Sequence, residues 1–460
     1  MNTKIHKWVA LITACIFLTG LGTACSSPTP GNSSGSTPSG STSSDGGGNG
    51  TINLTVASWW GGAQQTAFKD VFADYMSANP NVKITYQVYP YSGYTDKMTA
   101  LAAGGSMPDI FMMDQAEGWT SYLYGTGILQ PLDSLMSAAN YSTSNWLPGV
   151  LQYCTVDGKV VAMPLHSDQL VTCYNAQLFA DLGIPDLPSN PTWSQIWSDC
   201  QQITAAGKDP KTGVICTGWG GMQPLGLAAY VEEQGCQLTK SDGSANFDDP
   251  NVVAALQQYQ NGLFSTYPPV PPALAAVPFA AGEQGIMIDY MGNIANDNLP
   301  DATGTVAYNF DNRVVNFPTD DGSSFVAVCA NDFGISSTSK NQSAAFALLA
   351  YLTTDPVVGK LVNENSGVTP AIQGSTWTAL STPVTDKFPY NFYQTIAATP
   401  SSQYLTLPDG AWWYSALNAL TTNSGNFIGG TQSAPLTPQM SAQQYCDVIM
   451  KAYNDWEASQ

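Results

Sequence analysis

The stretch from Gly158 to Asn175 most constrains what this chain can fold into. It follows a turn at Val156-Asp157-Gly158 and reads as β-rich sequence, interrupted by Pro164 and by the polar run His166-Ser167-Asp168-Gln169. Proline cannot donate to a strand ladder, and central strands rarely carry four polar residues in a row. The pattern therefore predicts two short strands joined end to end by a polar crossover. If the two strands belong to different lobes, the crossover is a hinge and its polar side chains line a cleft. At 460 residues the chain is also too long for one hydrophobic core.

The segment before this stretch sets the fold class. Residues 51–60 read as a strand ending in Trp59-Trp60, with Gly61-Gly62 as a loop. Phe68, Val71, Phe72 and Tyr75 share one helical face within 63–78, and Asn79-Pro80-Asn81 stops that helix. Val82 to Tyr89 alternates as a second strand, 91–103 reads as a helix, and Pro108 to Met113 is a third strand with Asp114 at its end. Alternating strands and helices predict an α/β lobe on a mostly parallel sheet. Ligands of such sheets sit beyond the carboxyl ends of the strands, where Trp59, Trp60, Tyr89, Tyr91 and Asp114 fall. Trp59 and Trp60 are adjacent and so face opposite ways, one to the core and one to the cleft; the sequence leaves open which.

Charge narrows the ligand. The net charge is −20, from 34 acidic against 14 basic residues. Nucleic acid and anionic lipid surfaces call for clustered Lys and Arg, so both are excluded as partners. Arg313 is the only arginine, which disfavours an anionic ligand. A neutral polar ligand or a cation remains. With 12 Trp and 22 Tyr, the aromatic surplus fits a sugar, whose ring faces stack on aromatics while its hydroxyls bond carboxylates and amides.

Residues 1–25 read as an export signal. Lys4 and Lys7 precede an apolar run from Trp8 to Gly22 that is too short for a membrane span. Leu21-Gly22-Thr23-Ala24-Cys25 resembles a bacterial lipobox, although Gly22 stands where the pattern usually has Leu. Cys25 is then the expected lipidation site and membrane anchor; without lipidation the protein is secreted. Residues 26–50 are Ser-, Gly- and Pro-rich and read as a disordered tether of roughly 25–30 Å.

The strand-Trp-Trp-Gly segment, Asn81-Val82-Lys83-Ile84, Gly104-Gly105-Ser106-Met107-Pro108-Asp109-Ile110-Phe111 and Gly127-Ile128-Leu129-Gln130-Pro131-Leu132 occur in a telling order. Val156-Asp157-Gly158-Lys159, Pro191-Thr192-Trp193, Phe279-Ala280-Ala281-Gly282 and Gly367-Val368-Thr369-Pro370 follow. Together they resemble the extracellular solute-binding proteins of bacterial ABC importers, in particular the carbohydrate-binding, maltose-binding-protein-like family. The resemblance covers about residues 51–460 and rests on order and spacing rather than on any single motif. It implies an α/β, two-lobed periplasmic-binding-protein-like fold with a hinge and an inter-lobe cleft. It also implies an extracytoplasmic monomer that captures a mono- or oligosaccharide and delivers it to an ABC permease, with no enzymatic step and no cofactor. The expected division is 51–169 plus 305–355 for lobe 1 and 170–304 plus 356–460 for lobe 2, with a return crossing near Thr303-Gly304-Thr305.

The resemblance adds site residues. Asp168 stands where the family often has an acidic ligand residue, and Asp289-Tyr290 end a strand that often enters the cleft. A tryptophan common near there is absent, its region holding Met291 and Asn293. Gly410 to Tyr414 resembles the stretch where maltose-binding proteins place a stacking tryptophan, which points to Trp413, with Trp412 turned to the core; Trp377 is a weaker candidate. Trp219, in the Gly-rich run Thr217 to Met222, is read as a loop platform. His166, the only histidine after the signal, is either a ligand contact or a satisfied structural histidine.

Seven cysteines follow Cys25: 154, 173, 200, 216, 236, 329 and 446. Proximity in sequence offers Cys154 with Cys173 and Cys200 with Cys216, and the odd count leaves one thiol unpaired. One histidine cannot build a His-rich zinc site, so no metal is expected. Two alternatives stand beside the sugar. A polyamine suits an acidic, aromatic cleft, and a glycosidase could use Asp114 and Asp168 as paired carboxylates. A Gly-x-Ser-x-Gly elbow is absent.

Overall fold

The computed structural model describes residues 50–114, 117–147, 149–265, 279–298, 307–355, 357–359, 369–371, 405, 408, 410–428 and 439–459. The export signal, Cys25, nearly all of the tether, Trp377 and the crossing expected near Thr303 lie outside them. No helix among the described residues is long and apolar enough to cross a membrane.

The first part of the chain contains β1 (Ile52–Ser58), α1 (Gly62–Ala78), β2 (Val82–Val88), α2 (Tyr94–Ala103), β3 (Ile110–Asp114), α3 (Trp119–Gly125), α4 (Asp133–Ala138) and α5 (Val150–Tyr153). A small hairpin, β4 (Thr155–Val156) and β5 (Lys159–Val160), leads into β6 (Met163–Asn175). Next come α6 (Ala176–Leu182), α7 (Trp193–Ala206), β7 (Thr217–Met222), α8 (Leu225–Glu233), α9 (Pro250–Ser265), β8 (Gln284–Tyr290), α10 (Met291–Asn298) and β9 (Asn312–Val315). The last elements are β10 (Val328–Ile335), α11 (Gln342–Thr354), β11 (Thr369–Pro370), α12 (Trp413–Ile428) and α13 (Ala442–Glu457).

The opening α/β alternation forms as expected. β1 pairs in parallel with β2 and β3, and α1 buries Phe68, Val71, Phe72 and Tyr75. Local signals hold where they are local: the Thr192 side chain accepts the Gln195 N–H and caps α7.

β6 corrects the two-strand expectation. It is one continuous strand of 13 residues. Its near half, Met163 to Gln169, pairs with β10, and its far half, Leu170 to Asn175, pairs with β8 and β9. Pro164 is tolerated because it lies opposite Asp332, where the ladder shifts register between Asn331 and Asp332. His166 does not break the strand because its ring stacks on Trp60 and its Nε2 lies 2.9 Å from Asn331 Oδ1. The hand-over of partners at Gln169/Leu170 thus occurs inside an unbroken ladder.

The crossing expected near Thr303 falls on residues not described, and the next described strand is still on the far half. β9 at Asn312–Val315 still pairs with the far half of β6, and Thr319 O accepts the Trp193 N–H at the start of α7. The chain rejoins the near half only at Val328. β9 fills an edge of the far half of β6, a tertiary pairing that no turn signal near Thr303 reveals. The last helices pack on the far half: Gln260 of α9 donates to Phe427 O and Met440 O at 2.7 and 3.0 Å, and Phe427 stacks on Tyr445 at 4.4 Å.

The run Thr217 to Met222, read as a loop, is strand β7, parallel to β8. Gly218 serves close approach, not a turn. A Cβ on Gly218 would sit 2.1 Å from Cys200 O, on the backbone of α7.

Candidate functional site: an aromatic and acidic cleft at the strand ends

Strand directions bring two sets of carboxyl ends together. β3 is antiparallel to β10, and β10 to β6, so β1, β2 and β3 run with β6. β8 runs against β6, with Tyr290 opposite Leu170, and β7 runs with β8. The ends at Ser58, Val88 and Asp114 therefore approach the β6 hand-over from one side, and those at Met222 and Tyr290 from the other.

On the near side the residues after β1 and β2 build an aromatic wall. The half-buried Trp59 ring meets Tyr91, Tyr94 and Trp119 edge-on at 5.5, 5.1 and 5.3 Å. Tyr91 lies 5.1 Å from Trp119 and is 44% exposed. Trp60 turns the other way, packing on Phe68 and His166, with 7% exposure. Ring packing thus answers what the adjacent pair left open: Trp59 joins the wall and Trp60 the core.

Acidic groups sit beside this wall. The Tyr91 hydroxyl donates to Asp114 Oδ2 at 3.1 Å. Glu117 joins them: burial pushes its carboxyl up, while a hydrogen bond from Tyr91 acts in the opposite sense. From the far side comes Tyr290, whose phenol is pushed well up, first by burial and then by Cys329, Asp114, Glu117 and Tyr91. Two carboxyl groups and two phenols from both halves of the sheet thereby share one environment. Sequence reasoning missed Glu117 and Trp119. Their signal was an acid and an aromatic just past a strand end, immediately before a short helix.

Asp168 and Asp289, both expected as ligand acids, are engaged by the start of α10 and the groups beside it. Asp168 Oδ1 accepts the Gln169 and Gly292 N–H groups at 2.9 and 3.1 Å, which ties the hand-over point to the start of α10. Burial pushes its carboxyl up to about 7, opposed by those N–H groups. Asp289 Oδ1 accepts from Gln223 Nε2, Tyr290 N and Asn293 Nδ2 at 2.7, 2.7 and 2.9 Å.

His166 is 2% exposed, and burial pushes its imidazole down to about 4, so it is neutral near pH 7. This burial has a pH signature. The folded chain binds fewer protons at His166 than the unfolded chain between about 4 and 6.5, so this contribution is present above pH 6.5 and is lost as pH falls towards 4. Asp168 acts oppositely: its raised carboxyl keeps a proton in the folded chain, so its contribution favours folding below pH 3.8 and is lost as pH rises towards 7. Replacing His166 by Gln is expected to flatten the acid-side fall in stability, leaving the Asp168 trend. Denaturant midpoints across this pH range check it, and an unchanged slope in the variant would contradict it.

Trp219 is not at the cleft wall. It is 5% exposed and its ring meets Trp197 of α7 at 5.1 Å, because this part of β7 is covered by the helix. Trp413, at the start of α12, is fully buried, and its Nε1–H has no acceptor among the described residues. It lies where α12 meets the near half: a Cβ on Gly118, whose φ is +69°, would come within 3.0 Å of Tyr414 Cα and 3.5 Å of Trp413 Cδ1. Tyr122 of α3 and Tyr414 pair at 4.4 Å. Trp412 turns away, its Nε1 donating to Gly243 O at 2.9 Å and its ring meeting Tyr453 at 5.5 Å.

The lone arginine takes no part. Arg313 pairs with Asp186 and Asp311 beside β9. Among the described residues no group of three or more His, Cys, Asp or Glu side chains is placed to hold a metal ion. Neither expected disulfide forms, since Cys154, Cys200 and Cys216 are thiols, and six of the seven cysteines are buried.

A two-halved α/β body with ligand-type groups at facing strand ends defines a binding protein of the solute-capturing class. The chain belongs to the bacterial extracellular solute-binding protein family, whose sequence profile matches residues 59–358. It is 25% identical over 303 residues to the diacetylchitobiose binding protein of Streptomyces coelicolor, covering 64% of this chain and 67% of that one. It is 26% identical over 323 residues to the mannitol-binding protein of Pseudomonas aeruginosa, covering 65% and 69%. Three Brucella binding proteins match at 22% identity over 214 residues, so the chain spans about half the length of these curated relatives. These relatives are binding proteins rather than enzymes.

The fold is shared with solved structures. An ABC substrate-binding protein from Listeria monocytogenes in complex with cycloalternan superposes with a TM-score of 0.68 at 20% identity, covering 89% of this chain and 99% of that one. The cyclic alpha-maltosyl-1,6-maltose binding protein from Arthrobacter globiformis gives 0.67 at 19% identity, covering 89% and 100%. The architecture is that of two-lobed periplasmic binding proteins.

Proposed function

We propose that this protein is the extracellular sugar-binding component of an ABC importer, and that it captures a neutral carbohydrate, an oligosaccharide in the first instance, between the two halves of its sheet. The supporting observation is the convergence of Trp59, Tyr91 and Trp119 with Asp114, Glu117 and Tyr290 from both sides of the β6 hand-over. Ring faces and hydroxyl-accepting carboxylates are what a sugar needs. A ligand touching both halves favours the arrangement in which both sets of contacts form, and that is the physical content of lobe closure about β6. The relatives' names point the same way, since diacetylchitobiose and mannitol are both uncharged and hydroxylated.

The remaining roles follow from this reading. The closed, loaded protein docks on a membrane permease and releases its sugar unaltered, with no catalysis. Cys25 carries the lipid that anchors the protein outside the cytoplasmic membrane, 26–50 is the tether, and the body works as a monomer.

A polyamine is the second reading, and the acidic pair beside an aromatic wall favours it. Thermal denaturation separates the two. A neutral oligosaccharide at about a hundred times its dissociation constant stabilises by about 2.7 kcal/mol and raises the melting midpoint by several degrees, whereas spermidine leaves it unmoved. A rise with spermidine alone would overturn the sugar reading. Shortening of the oligosaccharide during incubation would overturn the non-catalytic one.

A further inference from the structure

An open surface pocket of about 700 Å³ lies between α7, α8, α9 and the loop at Asp320. It shares no residue with the aromatic wall. Its central feature is Trp197, a half-buried indole held from several sides. One partner is Trp193, stacked on it at 5.2 Å and 25°. Trp219 of β7 lies 5.1 Å away. A third contact is Gly262 of α9, where a Cβ would come within 2.4 Å of Trp197 Nε1, so only glycine lets the ring lie this close to the helix. A ring fixed in this way loses little conformational freedom on meeting a ligand.

The surroundings of the ring are polar and almost uncharged. Ser194, Ser198, Gln201, Gln258 and Asn261 line the cavity and are exposed. Gln201 donates through Nε2 to Ser265 Oγ, and Asn261 accepts from Gln257 Nε2, which among the described residues leaves the Gln201 carbonyl oxygen and the Asn261 amide N–H groups without a protein partner. Beneath them Trp193 is 2% exposed. Among the described residues Asp320 is the only carboxylate in the lining, and Gln258 Nε2 donates to its Oδ2 at 3.4 Å. The described lining contains no Lys or Arg.

We propose that this cavity is a second carbohydrate-binding site, outside the inter-lobe cleft, in which a sugar ring packs against Trp197 and its hydroxyls bond the Gln201 and Asn261 amides. The lining decides between ligand classes. An anion finds no cation there. An ammonium finds a single exposed carboxylate already in contact with an amide, while the exposed amide N–H groups need acceptors it lacks. Hydroxyl groups donate and accept, so they match both the carbonyl oxygen and the N–H groups. The volume falls in the range of small-ligand sites. In a protein that gathers oligosaccharides, such a site holds the ligand, or the polymer it comes from, near the cleft and raises its local concentration.

The test uses the full chain labelled with 5-fluorotryptophan, in a Trp413→Ala background that weakens the cleft. The Trp197 fluorine signal is assigned by Trp197→Phe. Maltoheptaose, cellohexaose and chitohexaose are titrated separately, with choline chloride as the amine arm. At least one oligosaccharide is expected to shift the Trp197 signal saturably. The double substitution Gln201→Ala/Asn261→Ala, on the exposed rim and harmless to the fold, is expected to weaken that binding at least about tenfold, as the loss of two hydrogen bonds implies. The same double substitution in the otherwise natural chain leaves cleft binding unchanged. Failure of all three oligosaccharides to move the signal, or a response to choline alone, overturns the proposal. Because the signal reports on Trp197 itself, an inert cleft and an inert outer cavity give different results.

Discussion

Replacing Trp413 by alanine is expected to weaken sugar binding by about thirtyfold or more and to cost less folding stability than the loss of a tryptophan packed within one half. A buried aromatic anchor typically accounts for 2 kcal/mol or more of binding energy, which is roughly that factor. Trp413 is fully buried where α12 meets the near half, beside Gly118 and the Tyr122–Tyr414 pair, and its Nε1–H lacks an acceptor among the described residues. On the proposed closure the ring packs between α12 and the Gly118 turn of the near half, so part of its burial forms only when the halves meet. Trp412 is the internal control. Its ring and Nε1 are engaged by Tyr453 and Gly243 on the far half in any state of the hinge, so Trp412→Ala is expected to cost about 3–5 kcal/mol of folding stability. Titration calorimetry and denaturant unfolding of the two variants check the contrast. Normal sugar binding by the Trp413 variant would remove that ring from the site, and equal destabilisation by both would place both in the core.

Replacing Gly218 by valine is expected to destabilise the protein by more than about 4 kcal/mol, in the range reserved for severe overpacking and backbone conflicts. Even the first added carbon meets main chain: Cys200 O at 2.1 Å and Cys200 Cα at 2.3 Å. No side chain can rotate away to relieve this, so α7 must lift from β7, exposing the packing around Trp193, Trp197 and Ile203. Gly61 is the matched control, since a Cβ there meets nothing within 4 Å, and Gly61→Ala is expected to be neutral within about 0.5 kcal/mol. Denaturant midpoints, together with the yield of folded protein, check the pair. A Gly218→Val chain as stable as the natural one would mean that α7 and β7 do not approach this closely.

Much of the architecture could be read from the chain because its signals are local. The strand–helix alternation over 52–114 follows from hydrophobic periodicity, and the α7 cap from one threonine at the right offset. Elsewhere the same local rules misled. Pro164 and the polar run suggested a broken strand, yet a register shift opposite Pro164 and the Trp60 and Asn331 partners of His166 keep β6 whole. The glycines around Trp219 suggested a loop, yet at least Gly218 exists to admit a helix. In both cases the explanation lies in a residue far away in sequence.

By itself the sequence determined the α/β class, the opening strand–helix alternation and an aromatic, arginine-poor composition. These depend on periodicity and composition, which each residue carries wherever it ends up. Only the tertiary structure decided which of Trp59 and Trp60 joins the cleft wall, that Glu117 belongs beside Asp114, and that Asp168 and Asp289 brace α10. A carboxylate or a ring acquires its role from the groups packed around it, and those groups come from strands and helices that only the folded chain brings together.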